Sequence, residues 1–358
     1  MRRTLALLSL GSALAAPAAL APASAGAHAS HCRAGVTYLP DLGYGGEADA
    51  IQARTVVGSV NDASGRQLPA LWRDGRLKLL GPSDGFAGDV NRRGEVVGVA
   101  GRFTEGFAYV HGSLHLLQPH DGSFVYVRRV NDRGQIAGAT GGLAARWDSS
   151  AASPTLLSPA GGLPGSFAKG INERGVVAGD SDAANGAPFS TLWYPDGRSR
   201  TLPSGFGPGE PSELFEINDR GEAVGESYKA GADGFPIADQ GTVWSPAGQP
   251  RLIPLLPGTE VSHTFNVNDR GVVVGVAVHV DFAAQAELGH HAFVWSGRGP
   301  ARTLPVPGRS YAGSQSNAHD IDARGTAVGF SGADPGVGRA TVWTCAWRQA
   351  YVPQETTP

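Results

Sequence analysis

Past its first 30 residues the chain is a succession of short apolar runs broken by polar, glycine-rich punctuation, and one arrangement of them recurs. It reads VNRRGEVVG from Val90, VNDRGQIAG from Val130, INERGVVAG from Ile171, INDRGEAVG from Ile217 and VNDRGVVVG from Val267. IDARGTAVG from Ile321 is a looser copy, and IQARTVVG from Ile51 lacks the glycine of the turn. In each copy the apolar residue ends one strand, Asn-x-Arg-Gly turns, and the Val/Ala run starts the return strand of a hairpin. Asn caps such a turn with its side chain and Gly accepts the positive φ it needs.

A third strand follows, marked by tryptophan at Trp72, Trp147, Trp193, Trp244, Trp295 and Trp343, with Tyr109-Val110-His111 in the second copy. A fourth ends at Leu80, Leu117, Leu157, Leu202, Ile253 and Leu304. Successive copies start 39, 40, 41, 46, 50 and 54 residues apart, close to the 40 to 50 residues of a propeller blade and beyond the roughly 20 to 30 of a solenoid coil. Four-stranded sheets cannot bury both faces alone, and radial stacking lets each cover its neighbours.

The expected fold is all-β: a seven-bladed β-propeller of four-stranded antiparallel blades, closed by the N- and C-terminal strands. An open β-solenoid is the alternative. It is disfavoured because the two ends share one motif, Cys32-x5-Tyr38-Leu39-Pro40 and Cys345-x5-Tyr351-Val352-Pro353, which a linear array gives no reason for. Val36 to Pro40 matches a fourth strand, so the chain enters the ring on an outer strand and completes the last blade. A Cys32–Cys345 disulfide in place of the missing turn restores the usual spacing from Trp to the fourth-strand Leu. In the rival arrangement the tail supplies the fourth strand and the N-terminal segment a fifth.

Arg2 and Arg3, an apolar stretch from Leu5 to Leu20 and small residues at Ala23, Ser24 and Ala25 read as a secretory signal peptide over residues 1–25. Residues 26–35 are then a lead-in containing Cys32, 36–353 the propeller and 354–358 a tail. The residues before Cys32 do not suit lipidation, and no later run has the length of a membrane span. The expected product is a secreted, extracellular monomer in which two cysteines persist as a disulfide. Losing two arginines with the leader takes the formal charge from −3 to −5. That mild acidity implies no nucleic-acid partner.

The I-N-x-x-G-x-V-V-G phrase and His291-Ala292-Phe293-Val294-Trp295 resemble the HAF family of extracellular repeat proteins, over nearly the whole mature chain. The resemblance implies an exported repeat protein and assigns it no activity. Where His291 stands, the other copies carry Leu68, Phe107, Leu143, Phe189, Gln240 and Arg339. That variety argues against a chemical role for His291.

Two rows are candidate sites. Five residues before each Asn position stand Glu47, Phe86, Tyr126, Phe167, Glu213, His263 and Asn317, at the start of the innermost strand on the face expected to carry the longer loops. Aromatic rings beside carboxylates and His suit a sugar-binding mouth; loop-entry packing is the plain alternative. On the opposite face Arg93, Arg133, Arg174, Arg220, Arg270 and Arg324, with Arg54, would form a guanidinium ring for a polyanion, or simply solvated turns.

The function expected is an extracellular scaffold that binds glycan, wall polymer or protein, without cofactor or metal; the alternative is a propeller-type glycan hydrolase or lyase. No S-x-D-x-G-x-T-W, H-E-x-x-H, G-x-S-x-G or phosphate-loop motif supports an enzyme. His279, Asp281, His290 and His291 gather in one expected loop without the spacing of a metal site. Glu210 with Glu213, and His319 with Asp320, are possible acid–base pairs.

Overall fold

A computed structural model describes residues 32–81, 84–231, 236–281, 286–333 and 337–354. The expected signal peptide lies outside the described residues. From Arg33 onward the chain forms one compact unit. Among the described residues there are five separate four-stranded antiparallel sheets and one of eight strands. The eight-stranded sheet is joined by one parallel pair, Phe189 with Ser212, with a four-stranded unit on either side, so the units number seven.

The first strands of the seven units are Gly46–Gln52, Phe86–Val90, Val125–Val130, Gly165–Ile171, Ser212–Ile217, Val261–Val267 and Ser314–Ile321. Each packs beside the next, and the seventh packs beside the first. The structure is therefore a closed β-propeller, which excludes the solenoid. The ring closes through Gly35–Tyr38, which pairs antiparallel with the third strand of blade 7, Arg339–Thr344. The C-terminal segment does not take that place: after a short helix, Ala346–Gln349, Tyr351 bridges to Thr303 of blade 6. No cysteine is free, and both cysteines of the chain, Cys32 and Cys345, are disulfide-bonded, hence to each other.

The tryptophans are the pins between blades. All six are buried, and five donate Nε1–H to a carbonyl just past the fourth strand of the preceding blade. Trp72 reaches Pro40 at 2.7 Å, Trp147 Gln118 at 2.8 Å, Trp193 Ser158 at 2.7 Å, Trp244 Pro203 at 2.7 Å and Trp343 Pro305 at 2.8 Å. A large apolar ring with one polar handle suits this place, since the donor must be satisfied once buried. Trp295 departs, donating to Gly299 of its own blade at 2.9 Å. In blade 2 Tyr109 substitutes and takes a hydrogen bond from Lys78.

The recurrent asparagine does more than cap its turn. Its Oδ1 accepts the backbone N–H two and four residues on, as Asn172 does from Arg174 and Val176 at 3.0 Å each. Its Nδ2 donates to the next asparagine's carbonyl: Asn91 to Asn131, Asn131 to Asn172, Asn172 to Asn218 and Asn218 to Asn268, all at 3.0–3.2 Å. Asn268 donates to Asp322 at 3.0 Å. Asp322 has no amide to pass on, so this relay ends where the ring closes.

Every first strand carries a β-bulge, three residues before the Asn position. The glycine that closes the repeat phrase lies across from it. A Cβ on Gly58, Gly98, Gly138, Gly179, Gly225, Gly275 or Gly329 would stand 1.9–2.1 Å from a first-strand carbonyl oxygen. An interior strand glycine of this kind marks close backbone approach. The bulge leaves one residue unpaired and re-aims its side chain.

The extra length of the fifth and sixth copies is spent on strand and not only on loop. In blade 5 the hairpin runs Ala223–Ala230 and Pro236–Trp244, and in blade 6 Val273–Asp281 and Ala286–Trp295. His279 pairs with Gly289 and Ala277 with His291, whereas His290 faces Val278. The residues expected to gather in a loop thus lie on strands, with His290 and His291 on opposite faces. His291 stacks on Tyr311 at 3.7 Å, and His290 bonds Glu287 at 2.5 Å. Burial, then the neighbouring His290, lowers the His291 pKa to about 4.

Candidate functional site

The first strands put three tiers of side chains around the axis. The outermost tier is the row five residues before each Asn, and the structure divides it into sectors. Phe86, Tyr126 and Phe167 form a continuous aromatic arc, with centroids 6.2 Å and 5.3 Å apart at edge-on angles. Glu213 and His263 fall in an acidic sector. Asn317 stands apart with its side-chain oxygen buried and unpartnered.

The second tier is the bulged residue itself: Asp49, Gly88, Arg128, Lys169, Phe215, Phe265 and His319. A cavity of about 320 Å³ opens between the first two tiers. It is lined by the rings of Phe86, Phe103, Tyr126 and Phe265 and by the polar groups of Glu47, Asp49, Gln67, Arg128 and His319. Arg128 donates to the Tyr126 hydroxyl at 3.3 Å. His319 Nε2 lies 3.1 Å from Glu47 and Nδ1 3.6 Å from Asp49. Burial raises the Glu47 pKa against the pull of His319. For His319 burial works the other way, and Glu47 and Asp49 outweigh it, so its pKa is raised.

The third tier, two residues before each Asn, closes the channel. Arg129 lies buried and ion-paired to Glu216, and its Nη1 donates to the Gly88 carbonyl at 3.2 Å. Asp89 and Asp320 complete the girdle, accepting Val130 N–H at 2.8 Å and Ile51 N–H at 2.7 Å from the adjoining blades. Arg129 lines both the cavity above and a depression on the opposite face. The channel is thus a blind socket from either side.

Beside the aromatic arc, blades 4 to 6 crowd carboxylates together. Lys169 bridges Asp180 at 2.7 Å and Glu213. The Tyr228 hydroxyl donates between Glu213 and Glu226, reaching the latter at 2.5 Å. His263 Nδ1 contacts Glu226 and lies 3.6 Å from Asp239. Burial, then Glu226, pushes Asp239 up to about 8. His263 rises to about 9 because its bond to Glu226 and the surrounding carboxylates overcome burial. Among the described residues two sets of three side chains bring their ligand atoms within 4.8 Å inside each set: Glu226, Asp239 and His263, and Glu47, Asp49 and His319.

The arginine row takes an outer position. The depression on its face is ringed by the residue after each Asn: Arg92, Asp132, Glu173, Asp219, Asp269 and Ala323. Arg93, Arg133, Arg174, Arg220, Arg270 and Arg324 do not line it. Arg93 and Arg220 are turned back to Glu95 and Glu222 of their own hairpins, at 2.6 and 2.7 Å. Of the acid–base pairs read from sequence, His319 and Asp320 sit in different tiers, and Glu210 accepts the Ala230 N–H at 2.9 Å.

The bulge tier and the Arg129 girdle escaped the sequence reading. Their signal was the glycine inside each second strand, which announces a bulge and so a change of side-chain direction.

No protein-family model matches the chain, and no curated protein does. Solved structures do. YCF48 bound to a D1 peptide aligns over 91% of this chain and 97% of its own at 14% identity, TM-score 0.50. Virginiamycin B lyase from Staphylococcus aureus aligns over 87% and 98% at 10% identity, TM-score 0.56, and YCF48 from Cyanidioschyzon merolae over 86% and 98% at 11%, TM-score 0.53. The likeness is one of fold. At such identities it carries neither the peptide of one nor the chemistry of the other to this chain.

Proposed function

We propose that the protein is a secreted member of the HAF repeat proteins, acting as an extracellular scaffold whose blind socket receives the end of a glycan chain. The disulfide supports an oxidising compartment, and no helix among the described residues is long and apolar enough to cross a membrane. The observation that carries the reading is the lining of the socket. Four aromatic rings face the same cavity as carboxylates, an amide, a guanidinium and an imidazole. Rings stack on the apolar faces of sugars while the polar groups bond hydroxyls, and a cavity of this size admits a small ligand. Because Arg129 closes the floor, a polysaccharide enters by its terminus rather than threading through.

Glycan-array binding of the purified mature chain, followed by titration of the best hit, tests this. Tyr126→Ala is expected to weaken binding about tenfold, the loss of roughly 1.4 kcal/mol. Wild-type binding to no glycan, or equal binding by the variant, overturns the reading. A propeller-type hydrolase or lyase is favoured by one observation, the contact of Glu47 with His319 Nε2 at 3.1 Å inside the socket. Release of product from the bound glycan, abolished by Glu47→Gln, distinguishes turnover from binding alone.

A further inference from the structure

The acidic sector is not needed to line the glycan socket, and it has an excess of negative charge. Among the described residues, Glu213, Glu226, Asp239, Asp180 and Asp182 gather around two cationic side chains, Lys169 and His263. Lys169 is already spent on Asp180 and Glu213. What is left converges on one nitrogen. His263 Nδ1, from the first strand of blade 6, faces Glu226 and Asp239, from the second and third strands of blade 5.

We propose that Glu226, Asp239 and His263 Nδ1 bind one divalent transition ion, Zn²⁺ or Mn²⁺, that clips blade 5 to blade 6. The three ligand atoms lie within 4.8 Å of one another. One imidazole nitrogen with two carboxylates is a donor set for a borderline ion; Ca²⁺ is ordinarily held by oxygen alone. Glu226 is almost fully buried, and its orientation is fixed by the Tyr228 hydroxyl behind it, as outer-shell groups fix ligands elsewhere. Asp239 Oδ1 is buried and has no hydrogen-bond partner among the described residues, while Oδ2 is the oxygen that faces His263. The His263 side chain keeps 28% of its surface exposed. The ion would therefore retain open positions toward solvent, the arrangement of a site that exchanges water or an outside ligand.

The test is calorimetric titration of chelator-treated full-length mature protein with ZnCl₂ and with MnCl₂, with the bound metal counted by elemental analysis. One ion per chain and a higher unfolding temperature are expected for at least one of the two metals. Asp239→Asn should weaken binding at least about 100-fold, and Tyr228→Phe about 10- to 100-fold through loss of the outer shell. Glu47→Gln, at the other ligand group, should bind within about twofold of wild type. Asp239→Asn keeps the size and shape of the side chain, so without metal it should unfold within a few degrees of wild type, which separates lost ligation from lost fold. No uptake at about 100 µM of either ion, unchanged binding in both Asp239→Asn and Tyr228→Phe, preference for Ca²⁺, or loss of binding in Glu47→Gln instead would each overturn the assignment. Glycan binding is read separately, so its failure leaves this result standing.

Discussion

A methyl group on Gly179 would stand 1.9 Å from the Phe167 carbonyl oxygen, with no flexible side chain able to yield. Gly179→Ala must therefore push the innermost strand of blade 4 off its bulge. A loss of about 2 kcal/mol or more in urea denaturation is expected, at the upper end of overpacking costs. The opposite change is available at Ala53, which occupies the two-residue turn of blade 1 at φ 58°. That left-handed backbone is costly for any residue with a Cβ. Ala53→Gly should stabilise the chain by about 0.5–1 kcal/mol, read as a raised unfolding midpoint. These residues also show what was legible. The turn glycines were readable because their role is local, and blade 1 stood out because its copy lacks the glycine after Arg54. The strand glycines were equally visible, but their role depends on a carbonyl some dozen residues away, which periodicity alone does not locate.

At the scale of the strand, the row from Glu47 to Asn317 was readable by counting back from the turn. The bulge then changes which side chains look inward, so Arg128, Phe265 and His319 join the socket and Arg129 closes it. The added residues of the fifth and sixth copies keep strand pairing, and length alone does not distinguish a loop from a longer hairpin. The girdle yields a pH prediction. One guanidinium serves three buried carboxylates, so burial lifts Glu216 to about 7 and Asp320 to about 6 in spite of Arg129. Both lie above the values of an unfolded chain, so the folded state retains protons that the unfolded state gives up. Their contribution to stability is complete below the unfolded pKa values and is lost as pH rises through the folded ones. His291, held down near 4, changes stability in the opposite direction, so the informative quantity is a difference. The stability of wild type relative to Glu216→Gln should fall by about 1–3 kcal/mol between pH 4.5 and 7.5 in matched denaturation curves. A difference that stays flat or rises contradicts the proton-holding girdle.

For the whole molecule, closure was written in the ends of the sequence, since Val36 to Pro40 copies a fourth strand. The duplicate motif around Tyr351 could not be resolved without coordinates, because two segments of equal spacing compete for one edge. The N-terminal segment holds that edge by pairing, and the disulfide lies beside it. Bonding Cys32 to Cys345 spans a loop of about 310 residues, which the chain-entropy view values at about 5 kcal/mol. Cys345→Ser should cost about 2–5 kcal/mol while leaving the far-ultraviolet circular dichroism of the folded protein unchanged; a midpoint equal to wild type in oxidising buffer would contradict this.

The strand Gly35–Tyr38 finds its partner only at Arg339–Thr344. During synthesis, N-terminus first, it waits through nearly the entire polypeptide with its hydrogen-bonding edge unanswered, an edge of the kind that pairs with other chains. A copy broken off before the last blade can never end that wait. Covering the first edge of the ring is thus conditional on the presence of its last strand.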